Sequence, residues 1–192
     1  MPEVCTNCVL LVDDDPFIRK LFSTHLERAG FQPIHAGDGI DAIVKLRDTL
    51  PNVIVTDIEM PRMSGLEFIG VVRRRFPPIP VIALSGSIPS EFPEEARPDC
   101  WFEKSLQELP DVLNIVKYLA RKTPDHVDLP QVVTTPVRTR HAFAGYFMLT
   151  CTDCLRTFRA TSSPVNKVVE GTAMCIHCEA LVPFLIESSE PD

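Results

Sequence analysis

Two groups of residues in this 192-residue chain have the types and spacing to do chemistry. The first is built on carboxylates. Asp13, Asp14 and Asp15 follow the apolar run Val9-Leu10-Leu11-Val12, and Asp57 closes the run that begins Val53-Ile54-Val55. Ser85 ends Val81-Ile82-Ala83-Leu84, and Lys104 comes just after Cys100-Trp101-Phe102. Carboxylates gathered in one place repel one another and raise each other's pKa. A hard divalent cation with oxygen ligands removes that conflict, and Mg2+ suits such a site. A lysine balances the remaining charge, and a hydroxyl can donate to an incoming oxyanion. The chemistry this suits is phosphoryl transfer, with cation and lysine neutralising phosphate oxygens while a carboxylate attacks in line. A solvated acidic loop would explain an isolated Asp-Asp-Asp. It does not explain a carboxylate, a hydroxyl and a lysine that each end a separate apolar run.

The second group is built on thiols. Cys151-Thr-Asp-Cys154 and Cys175-Ile-His-Cys178 are separated by 20 residues. Each C-x2-C pair presents two thiolates on one tight turn, and two such turns supply the four sulfurs of a tetrahedral Zn2+ site. Four ligands leave no open position, so the site reads as structural, with His177 inside the second turn and not a ligand. A unit of about 45 residues needs such a staple because it buries little core. Cys5-Thr-Asn-Cys8 is a third C-x2-C. It could bind metal or form a redox pair, but two small apolar side chains at the start of a strand are favoured. Cys100 reads as core.

The elements that must hold these residues follow from the hydrophobic pattern. The short apolar runs read as buried parallel strands, with Phe31–His35 as a further one. Asp15 then Pro16 marks an N-cap and first helical residue. The helix carries Phe17, Leu21, Phe22 and Leu26 and closes at Gly30. Ile40, Ile43, Val44 and Leu46 mark a second helix, running up to Pro51. Leu66, Ile69, Val71 and Val72 mark a third, ending in Arg73-Arg74-Arg75, which complements the helix dipole. A last helix begins near Pro110. Five β–α units predict an α/β fold, a five-stranded parallel, doubly wound (flavodoxin-like) sheet covered on both faces, with its site at the carboxyl ends of the strands. This domain is assigned to residues 1–121. Residues 122–140, with Pro124, Pro130 and Pro136, read as a semi-rigid linker. Residues 141–187 form a small β-rich, zinc-ribbon-like domain with strands at Tyr146–Leu149, Phe158–Ala160 and Leu181–Ile186, and 188–192 is a tail.

Composition narrows the function. Lys plus Arg is 19 and Asp plus Glu is 26, giving a net charge of −7, which argues against a protein that coats nucleic acid through bulk charge. Eighteen prolines stop many segments. No apolar run reaches the ~18 residues of a membrane-spanning helix. Glu3 and the lack of basic residues before the first apolar stretch argue against a secretory signal. The expectation is a cytoplasmic protein with no membrane partner, whose odd number of cysteines (seven) are thiols or metal ligands.

VLLVDDDP (Val9–Pro16), the segment from Asp57 through Met60-Pro61 to Gly65, Val81–Ser85 and Lys104, taken in order, resemble the receiver domain of two-component response regulators over roughly residues 8–121. The resemblance implies that Asp57 is the phosphoacceptor. It implies that Asp13, Asp14, Asp57 and the backbone carbonyl of Glu59 hold Mg2+. Ser85 would be the switch hydroxyl, and Lys104 would bridge to the phosphoryl group. Trp101 stands where the family has its rotating aromatic, so it is read either as that switch or as core filling. Pro61 and Gly65 shape the loop after Asp57, while Glu59 and Ser87 stand at positions that tune dephosphorylation. Three departures carry expectations. Ser105 replaces the usual cis proline after the lysine, which predicts a trans bond, since a cis bond to serine costs ~3 kcal/mol. The stretch between Ser85 and Lys104 is short and holds Pro89, Pro93 and Pro98, which predicts a shortened or displaced fourth helix. Trp101 is bulkier than the usual aromatic.

The chain is therefore expected to be a signalling protein, not an enzyme. It would be phosphorylated by a histidine kinase or phosphotransfer protein, with the zinc ribbon contacting a downstream protein. A DNA-binding regulator using Arg138, Arg140, Arg156 and Arg159 around Phe158 is possible but not favoured. Residues 120–192 hold 7 basic and 8 acidic side chains, a net of −1, and show no helix-turn-helix pattern. A constitutive zinc-ribbon adaptor with a silent receiver is a further alternative. A redox or metal-handling enzyme would need an open metal site or a low-pKa thiol, which the paired spacing does not suggest.

Overall fold

The computed structural model describes residues 3–86, 92–105, 107–122, 137–140, 146–161 and 169–187. The chain divides into two compact units, Met1–Pro130 and Gln131–Asp192. The linker prolines Pro124, Pro130 and Pro136 and the tail 188–192 lie outside the described residues.

The first unit runs β1 (Glu3–Val4), β2 (Cys8–Val12), α1 (Pro16–Arg28), β3 (Gln32–Ala36), α2 (Gly39–Asp48), β4 (Thr49–Leu50), β5 (Val53–Asp57), α3 (Gly65–Arg75), β6 (Val81–Ser85), β7 (Cys100–Glu103) and α4 (Leu109–Lys122). Five of these strands form a parallel sheet in the order β3-β2-β5-β6-β7. The three central strands are buried along their whole length, which is why they read as unbroken apolar runs. α1 and α4 cover one face, where Val9, Leu11, Val55, Ile82 and Leu84 meet Phe22, Leu26, Leu109, Val112 and Val116. α2 packs beside α3, both contributing buried Ile43, Leu46, Phe68, Ile69 and Val72.

The helix starts follow local chemistry. Asp15 caps α1 by accepting from Phe17 N at 2.8 Å, with Pro16 in the first turn. Ser64 and Glu67 form a reciprocal capping box on α3. Gly30, at φ 87, ends the first helical segment as expected.

The expectation of five β–α units needs one correction. Between β6 and β7 the described residues hold no α-helix, only a 3-10 turn at Glu94–Ala96. The prolines on both sides explain this, since proline inside a helix removes a hydrogen bond and clashes with the preceding turn. Pro89 and Ser87 lie outside the described residues. Arg73, read from sequence as a dipole complement, has a larger task. It donates to Arg97 O at 2.9 Å and to Asp99 Oδ2 at 2.8 Å, tying α3 to the segment that leads into β7, and to Ile79 O at 3.3 Å ahead of β6. Asp99 Oδ2 also accepts from Val81 N. A clamp of one arginine and one aspartate thus fixes a segment whose described residues hold no α-helix. Two short strands also escaped the pattern, β1 and β4, which pair in parallel. Two residues each are too few to show a period.

The second unit holds β8 (Val137–Arg140), β9 (Tyr146–Thr150), β10 (Thr157–Thr161), β11 (Val169–Met174) and β12 (Leu181–Glu187). β9 and β10 form an antiparallel hairpin. β11 and β12 form a second, and β8 adds to β12 in parallel. β8 falls in the stretch that the sequence reading gave to the linker. β11 was not foreseen because Glu170-Gly171-Thr172 interrupts its apolar pattern. Phe147, Leu149, Phe158, Ala160, Val182 and Phe184 are buried in strict alternation along their strands. Phe147 and Phe184 rings meet at 4.7 Å between centroids, joining the two sheets. A Cβ on Gly171 would lie 2.7 Å from the Phe184 ring, so the aromatic needs glycine there.

Candidate functional sites

The carboxyl edge of the parallel sheet gathers the acidic group. Asp13 lies just beyond the end of β2, Asp57 closes β5 and Ser85 closes β6; their exposures are 1%, 3% and 3%. Asp14 is exposed. Ligand oxygens of Asp13, Asp14 and Asp57 all lie within 4.8 Å of one another. Lys104, just beyond β7, puts Nζ 2.7 Å from Asp57 Oδ2 and 2.9 Å from Asp13 Oδ2. The Lys104 position is set by its backbone: Lys104 N donates to Ser85 O at 2.8 Å, and Ser105 N donates to Glu103 O at 2.8 Å. The Lys104–Ser105 bond is trans, as expected, and the lysine still reaches the carboxylates.

Burial pushes the Asp13 carboxyl above its usual range, and the hydrogen bond from Lys104 offsets part of that rise. Burial works against the Lys104 charge, but hydrogen bonds to Asp57 and Asp13 outweigh it and hold its pKa above the usual lysine value. Two enclosed carboxylates and one open one, served by a single lysine, leave net negative charge in a small oxygen-lined space. That donor set fits a hard divalent cation such as Mg2+. Glu59 N donates to Asp57 Oδ1 at 3.1 Å, so the loop after β5 orients the carboxylate.

Gly65 is required at the start of α3. A Cβ there would lie 2.0 Å from Asp57 O. Sequence reasoning missed three supports of this site. Arg19 donates through Nη1 to the Asp13 carbonyl. Arg62, at φ 61 in the loop after β5, pairs with the buried carboxylate of Asp38. Asp38 also caps α2, accepting from Ile40 N and Asp41 N. The Asp38-Gly39 step was a readable cap signal; the pairing across the fold was not. Trp101 is 44% exposed, which removes the core-filling reading. Cys100 is partly buried, and burial followed by the Asp99 charge pushes its thiol up.

In the second unit all four cysteines of the paired motifs are buried. The two C-x2-C turns are built alike. Cys151 N donates to Arg156 O, Leu155 N to Cys151 O and Asp153 N to Cys151 Sγ. Cys175 N donates to Ala180 O, Glu179 N to Cys175 O and His177 N to Cys175 Sγ. Leu155 and Glu179, at φ 58 and 59, turn the chain back at matching positions. The four sulfurs lie within 4.8 Å of one another, with Cys151–Cys178 at 3.6 Å and Cys154–Cys175 at 3.7 Å. Sulfurs around a tetrahedral ion at Zn–S ~2.3 Å stand ~3.8 Å apart, so the donor set fits zinc. Hydrogen bonds from Cys151 and Cys154 hold the Cys178 thiol well below its ordinary value, while the neighbouring sulfurs of Cys151 and Cys178 push Cys154 up. His177 Nε2 lies 3.4 Å from Thr157 O, outside the sulfur cluster.

The parallel sheet thus carries acidic, hydroxyl and lysine side chains together at its carboxyl edge. Residues 9–97 match the response regulator receiver domain. Chemotaxis response regulator CheY4 of Vibrio cholerae superposes with a TM-score of 0.53 at 30% identity, over 58% of this chain and 99% of that one. The chain belongs to the response regulator receiver family through its first unit, within two-component signalling. Protein PilG of Pseudomonas aeruginosa is 40% identical over 40% of this chain and 58% of its own length. The transcription regulator of virulence factors BvgA, from Bordetella pertussis, is 38% identical over 45% of this chain and 42% of its own. The matched region thus spans about half the length of these two curated relatives. No described helix is long and apolar enough to cross a membrane.

Proposed function

We propose that this chain is a two-component response regulator whose Asp57 accepts a phosphoryl group from a histidine kinase or phosphotransfer protein. The cysteine-bearing unit, stapled by structural zinc, would be its output or protein-interaction module. The reading is carried by Lys104 Nζ, which meets Asp57 and Asp13 at 2.7 and 2.9 Å. A carboxylate oxygen of Asp57 attacks phosphorus, the new O–P bond forms, and the donor leaves with the electrons of its bond to phosphorus. Lys104, fully charged, balances the phosphoryl oxygens. Ser85, buried beside it, donates its hydroxyl to one of them. Asp13, Asp14, Asp57 and the Glu59 carbonyl would hold Mg2+, which supplies positive charge for the same oxygens. Trp101 would report the change of state. Cys151, Cys154, Cys175 and Cys178 would hold Zn2+ with no open position.

For the second unit a protein partner has more support than DNA. Phe158 is buried, and Arg159 lies over the Tyr146 ring at 3.8 Å. The side chains of Arg138 and Arg140 lie outside the described ones. Met174 and Leu181 are cross-strand partners beside the second turn, and with Ile176 they are 62%, 70% and 71% exposed. Apolar groups of this kind suit a protein contact better than a phosphate backbone.

Native intact mass tests both halves, with and without acetyl phosphate plus Mg2+, beside Asp57→Ala. One bound zinc and one phosphoryl adduct, lost in Asp57→Ala, are expected. No adduct on folded, zinc-loaded protein would overturn the phosphoacceptor reading and leave a constitutive zinc-ribbon adaptor with a silent receiver. An adduct on zinc-free, folded protein would overturn the zinc reading alone.

A further inference from the structure

The amino edge of the sheet, opposite the phosphoryl site, holds a cysteine pair that the receiver chemistry leaves unused. Cys5 and Cys8 flank the turn Thr6-Asn7, with Asn7 at φ 61. Their Cα atoms are 5.6 Å apart and their sulfurs are joined. This separation lies inside the range a disulfide accepts. The pairing displaces the reading of two separate small apolar side chains.

The two cysteines differ in access and in anchoring. Cys8 is 1% exposed and Cys5 is half-buried at the rim. Cys8 is fixed by its backbone whatever its sulfur does: Cys8 N donates to Asn52 Oδ1 at 2.9 Å, and Asn52 N returns to Cys8 O at 2.9 Å. The turn is held at Asn7 O, which accepts from Gln32 N at 2.8 Å. β1 is held far less. It pairs with β4 over two residues, Glu3 with Thr49 and Val4 with Leu50, and Cys5 N donates to Leu50 O at 3.1 Å. The bond from Cys5 to the anchored Cys8 is thus the covalent fastening of this strand. Closing so short a loop constrains the unfolded chain least, so the bond is a poor staple for the whole fold. A bond that adds little global stability, with one sulfur reachable from solvent, is suited to exchange.

We propose that Cys5 and Cys8 are a reversible dithiol–disulfide couple that exchanges with small-molecule thiols and disulfides, and that the oxidised form clasps β1 onto β4. In the oxidising direction the Cys5 thiolate attacks one sulfur of a small disulfide. Its S–S bond breaks, one thiolate leaves with the electron pair, and a mixed disulfide remains on Cys5. The Cys8 thiolate then attacks the Cys5 sulfur and expels the second thiolate. The two cysteines lose two electrons, the small disulfide gains them, and the two protons pass to the solvent and the released thiolates. A thiol reductant runs the same steps in reverse. The order follows from access, because Cys8 is enclosed and within reach of Cys5.

The test equilibrates the full chain, zinc present, in glutathione buffers of graded oxidised-to-reduced ratio, then alkylates and digests with trypsin. Both cysteines fall on one peptide, Met1–Arg19, since Arg19 is the first basic residue. That peptide is expected to pass from doubly alkylated to unalkylated and two hydrogens lighter as the buffer becomes oxidising. Cys8→Ser is expected to stop at a glutathione adduct on Cys5. Deuterium exchange at the Val4 and Cys5 amides is expected to be at least ~10-fold slower in the oxidised form. A doubly alkylated peptide in the most oxidising buffer would overturn the couple, as would Cys5 bridged to Cys100 or a second zinc lost in Cys5→Ser. Equal exchange in the two forms would overturn the clasp.

Discussion

Replacing Lys104 by Met removes the positive charge between two enclosed carboxylates and keeps the length of the side chain. At an effective dielectric of ~20, each contact, at 2.7 and 2.9 Å, carries a gross attraction of ~6 kcal/mol. Asp13 and Asp57, with ligand oxygens at most 4.8 Å apart, repel by at least ~3.5 kcal/mol on the same scale. Breaking a buried pair from one side costs about 3–5 kcal/mol after relaxation, and the 21% exposure of the Lys104 side chain puts this case near the lower end. We expect Lys104→Met to lose about 3 kcal/mol at pH 8 in Mg2+-free buffer. The loss should shrink as the pH falls. The folded-state pKa of Asp13 is already raised by burial, and loss of Lys104 removes two influences that lower it. A carboxylate with a raised folded pKa destabilises the fold while charged and stops doing so as the pH falls through that pKa. The loss at pH 5 should therefore be clearly smaller than at pH 8. Mg2+ should restore more stability to the variant at pH 8 than to the parent. Urea unfolding followed by fluorescence of Trp101, the single tryptophan, reads all of this. Equal losses at pH 8 and pH 5, or a variant as stable as the parent at pH 8, would refute the electrostatic account of the site.

Three further outcomes are expected. Gly65→Ala forces a Cβ to 2.0 Å from Asp57 O, so it should cost about 3 kcal/mol or more in urea unfolding and slow phosphorylation from acetyl phosphate. Arg73→Ala opens two hydrogen bonds to the segment before β7 and one to Ile79 O before β6; we expect a loss of about 1–2 kcal/mol and faster amide exchange at Val81. Cys154→Ser should abolish zinc in native mass and the β signal of the second unit in circular dichroism. The Trp101 unfolding midpoint should stay unchanged, because the first unit has its own core.

The strands of the first unit were readable because parallel strands buried on both faces leave continuous apolar runs, as at Val9–Val12 and Val53–Val55. Asp15-Pro16 and the glycine at 30 marked their helix ends through local backbone chemistry. Knowing which strand ends meet came from the order of the runs, since parallel crossovers bring every carboxyl end to one edge. Other features depend on contacts far apart in sequence. Nothing local in Arg73 says that it will find Asp99, and nothing in Arg62 says that it will find Asp38. Pro93 and Pro98 announced a weakened fourth helix, but the clamp that holds the segment before β7 appears only in three dimensions. β8 was hidden because Val137–Arg140 sits in a proline-bearing stretch and pairs with a strand more than forty residues later. The Cys5–Cys8 spacing was visible, while the burial that separates an attacking sulfur from an enclosed one was not.

The central claim is that Asp57 accepts the phosphoryl group. Borohydride trapping tests it most directly: the chain is incubated with acetyl phosphate and Mg2+, then reduced, which converts an aspartyl phosphate to homoserine, and the peptides are mapped. Homoserine at position 57, dependent on Mg2+ and lost in Lys104→Met, is the result expected. Homoserine at Asp13 or Asp14, or none at any position on folded protein, would contradict the account.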